Sequence, residues 1–144
     1  MYVKDVMQSE VTTAPMGTLV QDAFEIMRDG GFRHLPIVDE FDKVAGILSD
    51  RDLRSVGAIY KDVATGTEDF LVTEDTTVDK IMAVNPFTVS PDDGVSFAID
   101  IFRAKRVGCL IVSKGDDLVG ILSYLDLLAA FKALLDKPAR ESAA

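Results

Sequence analysis

The stretch GILSDRDL, from Gly46 to Leu53, occurs again as GILSYLDL from Gly120 to Leu127. Six of the eight positions agree, and the two copies lie 74 positions apart. Self-similarity at a fixed distance indicates that one structural unit is present twice. The chain is therefore expected to consist of two related halves, each of which carries one copy of this phrase.

The similarity extends outward from the phrase on its N-terminal side. Three further pairs of segments match at nearly the same distance: RHLPIV (33–38) with VGCLIV (107–112) at 74 positions, VTTAP (11–15) with FTVSP (87–91) at 76, and VKDVM (3–7) with VDKIM (78–82) at 75. We therefore predict a first repeat at 1–59, an acidic linker at 60–76, a second repeat at 77–136 and a flexible tail at 137–144.

Each repeat predicts the order strand, helix, strand, strand, helix. In the first repeat, Thr18 is the expected N-cap of an amphipathic helix that stops at Gly30 and Gly31. Two apolar strands follow, and a closing helix begins after Ser49. Because one such unit cannot bury both faces of its sheet, the pattern predicts an α/β protein of the α+β type, with two β-α-β-β-α repeats packed with pseudo-twofold symmetry and a cleft on each side.

Composition narrows the classes of function. A net charge of −9 disfavours nucleic acids and anionic membranes as partners. Cys109 and His34 are the only cysteine and histidine, which excludes an intrachain disulfide and argues against metal or catalytic histidine clusters. Without an apolar run of membrane-spanning length or the apolar core of a signal peptide, the chain is expected to be a cytoplasmic protein. One histidine, one cysteine and no Gly-rich phosphate loop predict that it is not an enzyme.

The repeated phrase has a purely structural interpretation. Ser-x-x-Asp before an apolar helical run is a variant of the capping box, formed here by Ser49 with Asp52 and by Ser123 with Asp126. The glycine that opens each phrase would let the strand pass close to its neighbour.

The same residues also suit a ligand. A serine at a helix start can contact phosphate, and an aspartate one turn later can accept from ribose hydroxyls. Basic residues are available nearby: Arg33, His34 and Arg51 in the first repeat, and Lys105 and Arg106 in the second.

The two apolar "LPIVD"-like strands, each with a closing "GILSxxDL", resemble tandem cystathionine-β-synthase-type (CBS) domains, the Bateman module, over essentially the whole chain. The resemblance implies a regulatory module that binds adenine nucleotides in clefts shared by the repeats. It assigns phosphate and ribose contacts to the Ser and Asp of each phrase, and adenine contacts to the start of the first strand.

Carried over residue by residue, the resemblance implies two sites. One would combine Thr12, Thr13, Arg33 and His34 with Ile121, Ser123 and Asp126; the other would combine Ile47, Ser49, Arg51 and Asp52 with Thr88, Val89, Arg106 and Gly108. The first repeat carries Arg33-His34 before its second strand, where the second repeat has Val107-Gly108. We therefore expect the two sites to bind the nucleotide with unequal affinities.

The leading hypothesis is a stand-alone CBS pair that binds AMP, ADP or ATP, with S-adenosylmethionine and NAD as alternatives. It would form a homodimer and signal to a separate effector protein. The alternative is a structural or protein-interaction dimer without a physiological nucleotide. His34 is either a boundary residue or a phosphate contact, and Cys109 is expected to be a buried apolar filler.

Overall fold

The structure is a computed structural model that describes residues 1–138. Apart from its first two residues, the predicted tail at 137–144 lies outside the described part. The chain divides into two compact units. The central unit comprises Thr12–Pro86, and the terminal unit combines Met1–Val11 with the chain from Phe87 onward.

Nine strands and five α-helices are found in the described residues. The strands are β1 (Ala14–Pro15), β2 (His34–Val38), β3 (Val44–Ser49), β4 (Gly57–Lys61), β5 (Glu68–Val72), β6 (Ala83–Val84), β7 (Thr88–Val89), β8 (Cys109–Lys114) and β9 (Asp117–Ser123). The helices are α1 (Val3–Val6), α2 (Val20–Gly30), α3 (Asp50–Arg54), α4 (Val95–Lys105) and α5 (Tyr124–Leu135), and a short 3-10 helix covers Val78–Lys80.

The central unit contains a four-stranded sheet in the order β1-β2-β3-β6. Strand β1 runs parallel to β2, whereas β2, β3 and β6 are antiparallel neighbours. Helix α2 supplies the apolar face that covers this sheet, and the fully or nearly fully buried side chains include Ala23, Phe24, Met27, Leu35, Ile37, Leu48 and Leu53. This packing brings the end of β3, where the repeated phrase lies, next to the start of β2.

A hairpin occupies most of the segment that we predict as an acidic linker. Strands β4 and β5 pair from Gly57 opposite Val72 to Lys61 opposite Glu68. Phe70 is buried and stacks on Phe24 of α2, with 5.3 Å between the ring centroids. Phe70, together with the half-buried Ile59 and Val72, thus anchors the hairpin to the core of the central unit.

The terminal unit contains a three-stranded sheet in the order β7-β8-β9, with β7 parallel to β8 and β8 antiparallel to β9. Its core consists of Val3, Val89, Ala98, Phe102, Leu110, Val112 and Leu122. Val3 belongs to the N-terminal segment, so the beginning of the chain is part of this core.

Each sheet is extended by a short segment from the N-terminal part of the other predicted repeat. In the central unit, Ala83 of β6 pairs with Ile47. In the terminal unit, Gln8 forms a bridge with Ile121. The glycine next to each paired isoleucine makes room, because a Cβ on Gly46 would lie 2.7 Å from the carbonyl oxygen of Ala83.

Both repeats have the predicted β-α-β-β-α order, which confirms the mixed α/β class. The closing helices differ, since α3 has five residues and α5 has twelve. The predicted N-cap of α2 was wrong: Leu19 holds that position without a side-chain cap, and the Thr18 hydroxyl donates to the carbonyl of Pro15 instead.

Candidate functional site

The Ser-x-x-Asp of the first repeat forms a capping box at the junction of β3 and α3. The Ser49 N–H donates to Asp52 Oδ2 at 2.9 Å, and the Asp52 N–H donates to Ser49 Oγ at 3.2 Å. Both residues are half-buried. The predicted capping role is therefore confirmed, and it holds the hydroxyl and the carboxylate side by side.

The second repeat has the same arrangement at the start of α5. The Ser123 N–H donates to Asp126 Oδ2 at 2.8 Å, and the Ser123 hydroxyl lies 3.1 Å from the same oxygen. The Asp126 N–H reaches Ser123 Oγ at 3.4 Å. The two Ser-Asp pairs are thus built alike by the same four-residue sequence pattern.

The second carboxylate oxygen distinguishes the two pairs. In the terminal unit, Gln8 Nε2 donates to Asp126 Oδ1 at 2.8 Å. The residue that takes the position of Gln8 in the central unit is Ala83, which has no donor on its side chain. Within residues 1–138, no hydrogen bond to Asp52 Oδ1 is found.

Arg33 and His34 lie beside the Ser49–Asp52 pair. His34 opens β2 directly opposite Ser49, and the Arg33 carbonyl accepts from the Asp50 N–H at 3.2 Å. Arg33 Nη1 also donates to Asp50 Oδ2 at 3.1 Å. The structure therefore brings a guanidinium, an imidazole, a hydroxyl and a carboxylate to one end of the central sheet.

Burial lowers the pKa of His34 below its ordinary value, against the opposing effect of the Asp50 and Asp52 carboxylates. At neutral pH the imidazole is therefore neutral and can accept a hydrogen bond on one nitrogen while donating from the other. Arg33 is then the permanent positive charge at this position.

The terminal unit has no matching cation on its second strand. Cys109 takes the position opposite Ser123 that His34 takes opposite Ser49, and Gly108 precedes it. Cys109 is buried, and this burial raises the pKa of its thiol to about 12. The predicted apolar role of Cys109 agrees with this burial. The exposed Arg106 ends α4 with a left-handed backbone, at φ 54°.

The remaining predicted residues differ in exposure. Thr12 and Thr88 are exposed and precede or open the first strand of each repeat, and Thr13 is half-buried. Val89 is 4% exposed and packs in the terminal core, so only its backbone could face a ligand. Ile47 and Ile121 are half-buried in β3 and β9, and Arg51 is exposed on α3.

Each predicted site combines residues of both units. The central unit holds Thr12, Thr13, Arg33, His34, Ile47, Ser49, Arg51 and Asp52, and the terminal unit holds Thr88, Val89, Arg106, Gly108, Ile121, Ser123 and Asp126. The pairing of these two sets into two clefts stays a prediction.

The central unit also contains a groove of about 360 Å³ between α2, α3 and the β4–β5 hairpin. Its walls include Phe32 and Ile59, and the guanidinium-bearing Arg28, Arg33 and Arg54. Arg33 therefore borders both this groove and the Ser49–Asp52 pair. Sequence reasoning missed the groove because the hairpin that forms one wall was not predicted.

Within residues 1–138, no group of three or more His, Cys, Asp or Glu side chains is arranged to hold a metal ion. None of the helices in this range has the length and apolar character needed to cross a membrane.

The sequence model of the CBS domain matches residues 3–58 and 78–133. The chain belongs to the CBS domain family. Because the two matches together cover most of the chain, the protein is a tandem CBS pair, as the resemblance of the repeated phrase implied.

One relative has a similar length. A CBS domain-containing protein of Dictyostelium discoideum is 30% identical over 128 residues, which cover 88% of each chain. By contrast, the CBS pair spans about a quarter of several other curated relatives. The homoserine O-acetyltransferase of Methanosalsum zhilinae is 26% identical over 121 residues, which cover 83% of this chain and 22% of that protein.

Solved CBS pairs share the fold. The CBS domain pair of protein MJ0100, in complex with 5′-methylthioadenosine and S-adenosyl-L-methionine, has a TM-score of 0.76 at 24% identity and covers 92% of this chain and 97% of that one. CBSX2 in complex with AMP has a TM-score of 0.73 at 21% identity, with coverage of 92% and 97%.

Proposed function

We propose that this CBS pair is a regulatory module that binds an adenosine nucleotide. The observation that carries the proposal is the Ser49–Asp52 pair, whose carboxylate keeps one oxygen open. The ligands of the neighbouring structures, AMP, 5′-methylthioadenosine and S-adenosyl-L-methionine, support it because all three contain an adenosine moiety.

The roles follow from the chemistry of these groups. Asp52 Oδ2 is engaged by the Ser49 N–H, which fixes the carboxylate and leaves Oδ1 to accept from a ribose hydroxyl. In the other site, where Asp126 would accept from the ribose, Arg33 would contact phosphate. Its present partner Asp50 is 3.1 Å away on the surface, where such ion pairs contribute little. His34 would add a hydrogen bond.

We assign the two sites as the resemblance implies. One combines Thr12, Thr13, Arg33 and His34 with Ile121, Ser123 and Asp126; the other combines Ile47, Ser49, Arg51 and Asp52 with Thr88, Val89, Arg106 and Gly108. AMP, ADP and ATP are the preferred ligands, and S-adenosylmethionine and NAD are alternatives. The ligand would act by differential affinity for two arrangements of the module, which a separate effector protein would read. No catalytic step is proposed.

A homodimer is part of the same proposal. Helix α5 exposes large apolar side chains that a second copy would cover: Leu125 is 67% exposed, Leu128 61% and Leu135 68%. Contiguous apolar surface of this kind is typical of interaction sites. This same face is the specific observation that favours the second candidate function, a dimerisation or protein-interaction module without a physiological nucleotide.

Isothermal titration with AMP, ATP, S-adenosylmethionine and NAD separates the two functions. We expect binding of an adenosine ligand by the purified protein. Asp52→Ala and Asp126→Ala should each weaken binding at one site by about 1.5–3 kcal/mol, the range for a hydrogen bond to a charged group.

Asp116→Ala is the matched control, because Asp116 lies exposed in the turn between β8 and β9. If none of the four ligands binds at millimolar concentration, the nucleotide function is wrong and the interaction module stands. If binding occurs but both aspartate variants keep wild-type affinity, the assigned ribose contacts are wrong.

A further inference from the structure

We propose that Gln8 is a specificity-determining residue that holds the second repeat's carboxylate closed and so makes the two sites unequal. This inference rests on the proposed function. Gln8 Nε2 donates to Asp126 Oδ1 at 2.8 Å, while the Ser123 N–H and hydroxyl engage Oδ2. Both oxygens of Asp126 therefore have a donor before any ligand arrives.

The backbone holds Gln8 firmly in this position. The Gln8 N–H donates to the Ile121 carbonyl at 2.9 Å, and the Ile121 N–H donates back to the Gln8 carbonyl at 2.9 Å. The preceding Met7 lies directly against Gly120, since a Cβ on that glycine would be 2.5 Å from Met7 Sδ. The amide is therefore presented to Asp126 by a segment that is part of the sheet.

The first repeat lacks this contact for a simple reason. Ile47 corresponds to Ile121, and the residue paired with Ile47 is Ala83. A methyl group cannot donate, and within the described residues no other group donates to Asp52 Oδ1. The two Ser-Asp pairs thus share the reciprocal backbone hydrogen bonds. They differ in the Gln8 amide and in the contact of the Ser123 hydroxyl with Asp126 Oδ2.

The Gln8 amide should therefore affect how the site binds ribose and not how it binds phosphate. A sugar hydroxyl that approaches Asp126 must displace or share the Gln8 amide, whereas one that approaches Asp52 meets an open oxygen. Gln8 therefore differs from Arg33 and His34, which act on phosphate. A probe without phosphate isolates its effect, and adenosine is such a probe. The loss of one competing hydrogen bond to a carboxylate should change affinity by about tenfold, equivalent to about 1.4 kcal/mol.

The test uses single-site backgrounds of the whole chain, titrated with adenosine and with AMP. In Asp52→Ala, where only the Asp126 site remains, adding Gln8→Ala should strengthen adenosine binding about tenfold. Gln8→Met, which keeps the bulk and removes the amide, should do the same. In Asp126→Ala, Gln8→Ala should have no effect, and Ala83→Gln should weaken binding at the Asp52 site about tenfold. Gln8 is exposed, so these variants should fold, which circular dichroism verifies.

The outcomes separate the two proposals. If ligand binds but Gln8→Ala and Gln8→Met leave the Asp126 site unchanged or weaker, this inference is overturned and the proposed function stands. If Ala83→Gln has no effect, the amide alone does not explain the inequality, and the inference is again overturned. If wild type and every variant fail to bind adenosine and AMP, the proposed function fails and this inference falls with it.

Discussion

Ser49 and Asp52 hold each other by two hydrogen bonds across the junction of β3 and α3. The Ser49 N–H donates to the Asp52 carboxylate at 2.9 Å, and the Asp52 N–H donates to the Ser49 hydroxyl at 3.2 Å. The pair therefore has a structural role that exists without any ligand, and this role can be measured separately from binding.

We expect Ser49→Ala to lower the free energy of unfolding by about 1 kcal/mol, because the first turn of α3 loses its side-chain acceptor. Ser123→Ala should have a similar effect on α5. Urea denaturation at neutral pH measures both changes. Ser9→Ala is the matched control, since Ser9 is exposed and caps no helix. Equal stability of the Ser49 and Ser9 variants would show that the capping box contributes nothing.

The His34 imidazole should titrate below its ordinary pKa of about 6.5, because burial disfavours its charged form. His34 is the only histidine, so one ring resonance in a proton NMR titration reports it directly. An apparent pKa at or above 6.5 would mean that Asp50 and Asp52 outweigh burial.

The free energy of unfolding should also depend on pH through the titration of His34. The unfolded chain takes up the His34 proton at higher pH than the folded chain does. The contribution of neutral His34 to the free energy of unfolding is thus fully present above about pH 6.5. It is lost as the pH falls from there through the pKa of His34 in the folded chain. We expect the free energy of unfolding to fall across this window, and His34→Gln to flatten that fall. An unchanged slope in the variant would assign the pH dependence to other groups.

The repeated phrase predicted much of the fold because its information is local. The Ser-x-x-Asp spacing fixes a capping box within four residues, and the capping boxes at Ser49 and Ser123 are confirmed. Gly46 and Gly120 were expected to allow close approach of a neighbouring segment, and both do. The matching apolar strands gave the order of elements in each repeat for the same reason.

Contacts between distant residues could not be predicted in this way. Gln8 and Asp126 are 118 positions apart, and neither residue has a pattern that points to the other. The β4–β5 hairpin was missed because residues 60–69 are largely polar and acidic, and because Phe70, Ile59 and Val72 pack against core residues that are distant in sequence. Thr18 has the right residue type for an N-cap, but its hydroxyl donates to Pro15 instead.

Cys109 should not react with thiol reagents in the folded protein. It is 7% exposed, and burial raises the pKa of its thiol to about 12, so the reactive thiolate is scarce at pH 8. An assay with 5,5′-dithiobis(2-nitrobenzoate) should detect almost no thiol in native buffer and one thiol per chain in guanidinium chloride. Fast labelling of one thiol in native buffer would contradict the burial of this residue.

Gly46→Ala should destabilise the protein more than Gly120→Ala does. An added Cβ at Gly46 would lie 2.7 Å from the Ala83 carbonyl oxygen, whereas at Gly120 the nearest backbone atom, the Gln8 carbonyl oxygen, would be 3.0 Å away. A backbone oxygen can yield only if the paired segment shifts, so we expect losses of about 1–3 kcal/mol in urea denaturation, the range for overpacking. Gly94→Ala is the control because a Cβ there meets no atom within 4 Å. If Gly46→Ala is no more costly than Gly94→Ala, the 83–84 segment does not lie against β3 as described.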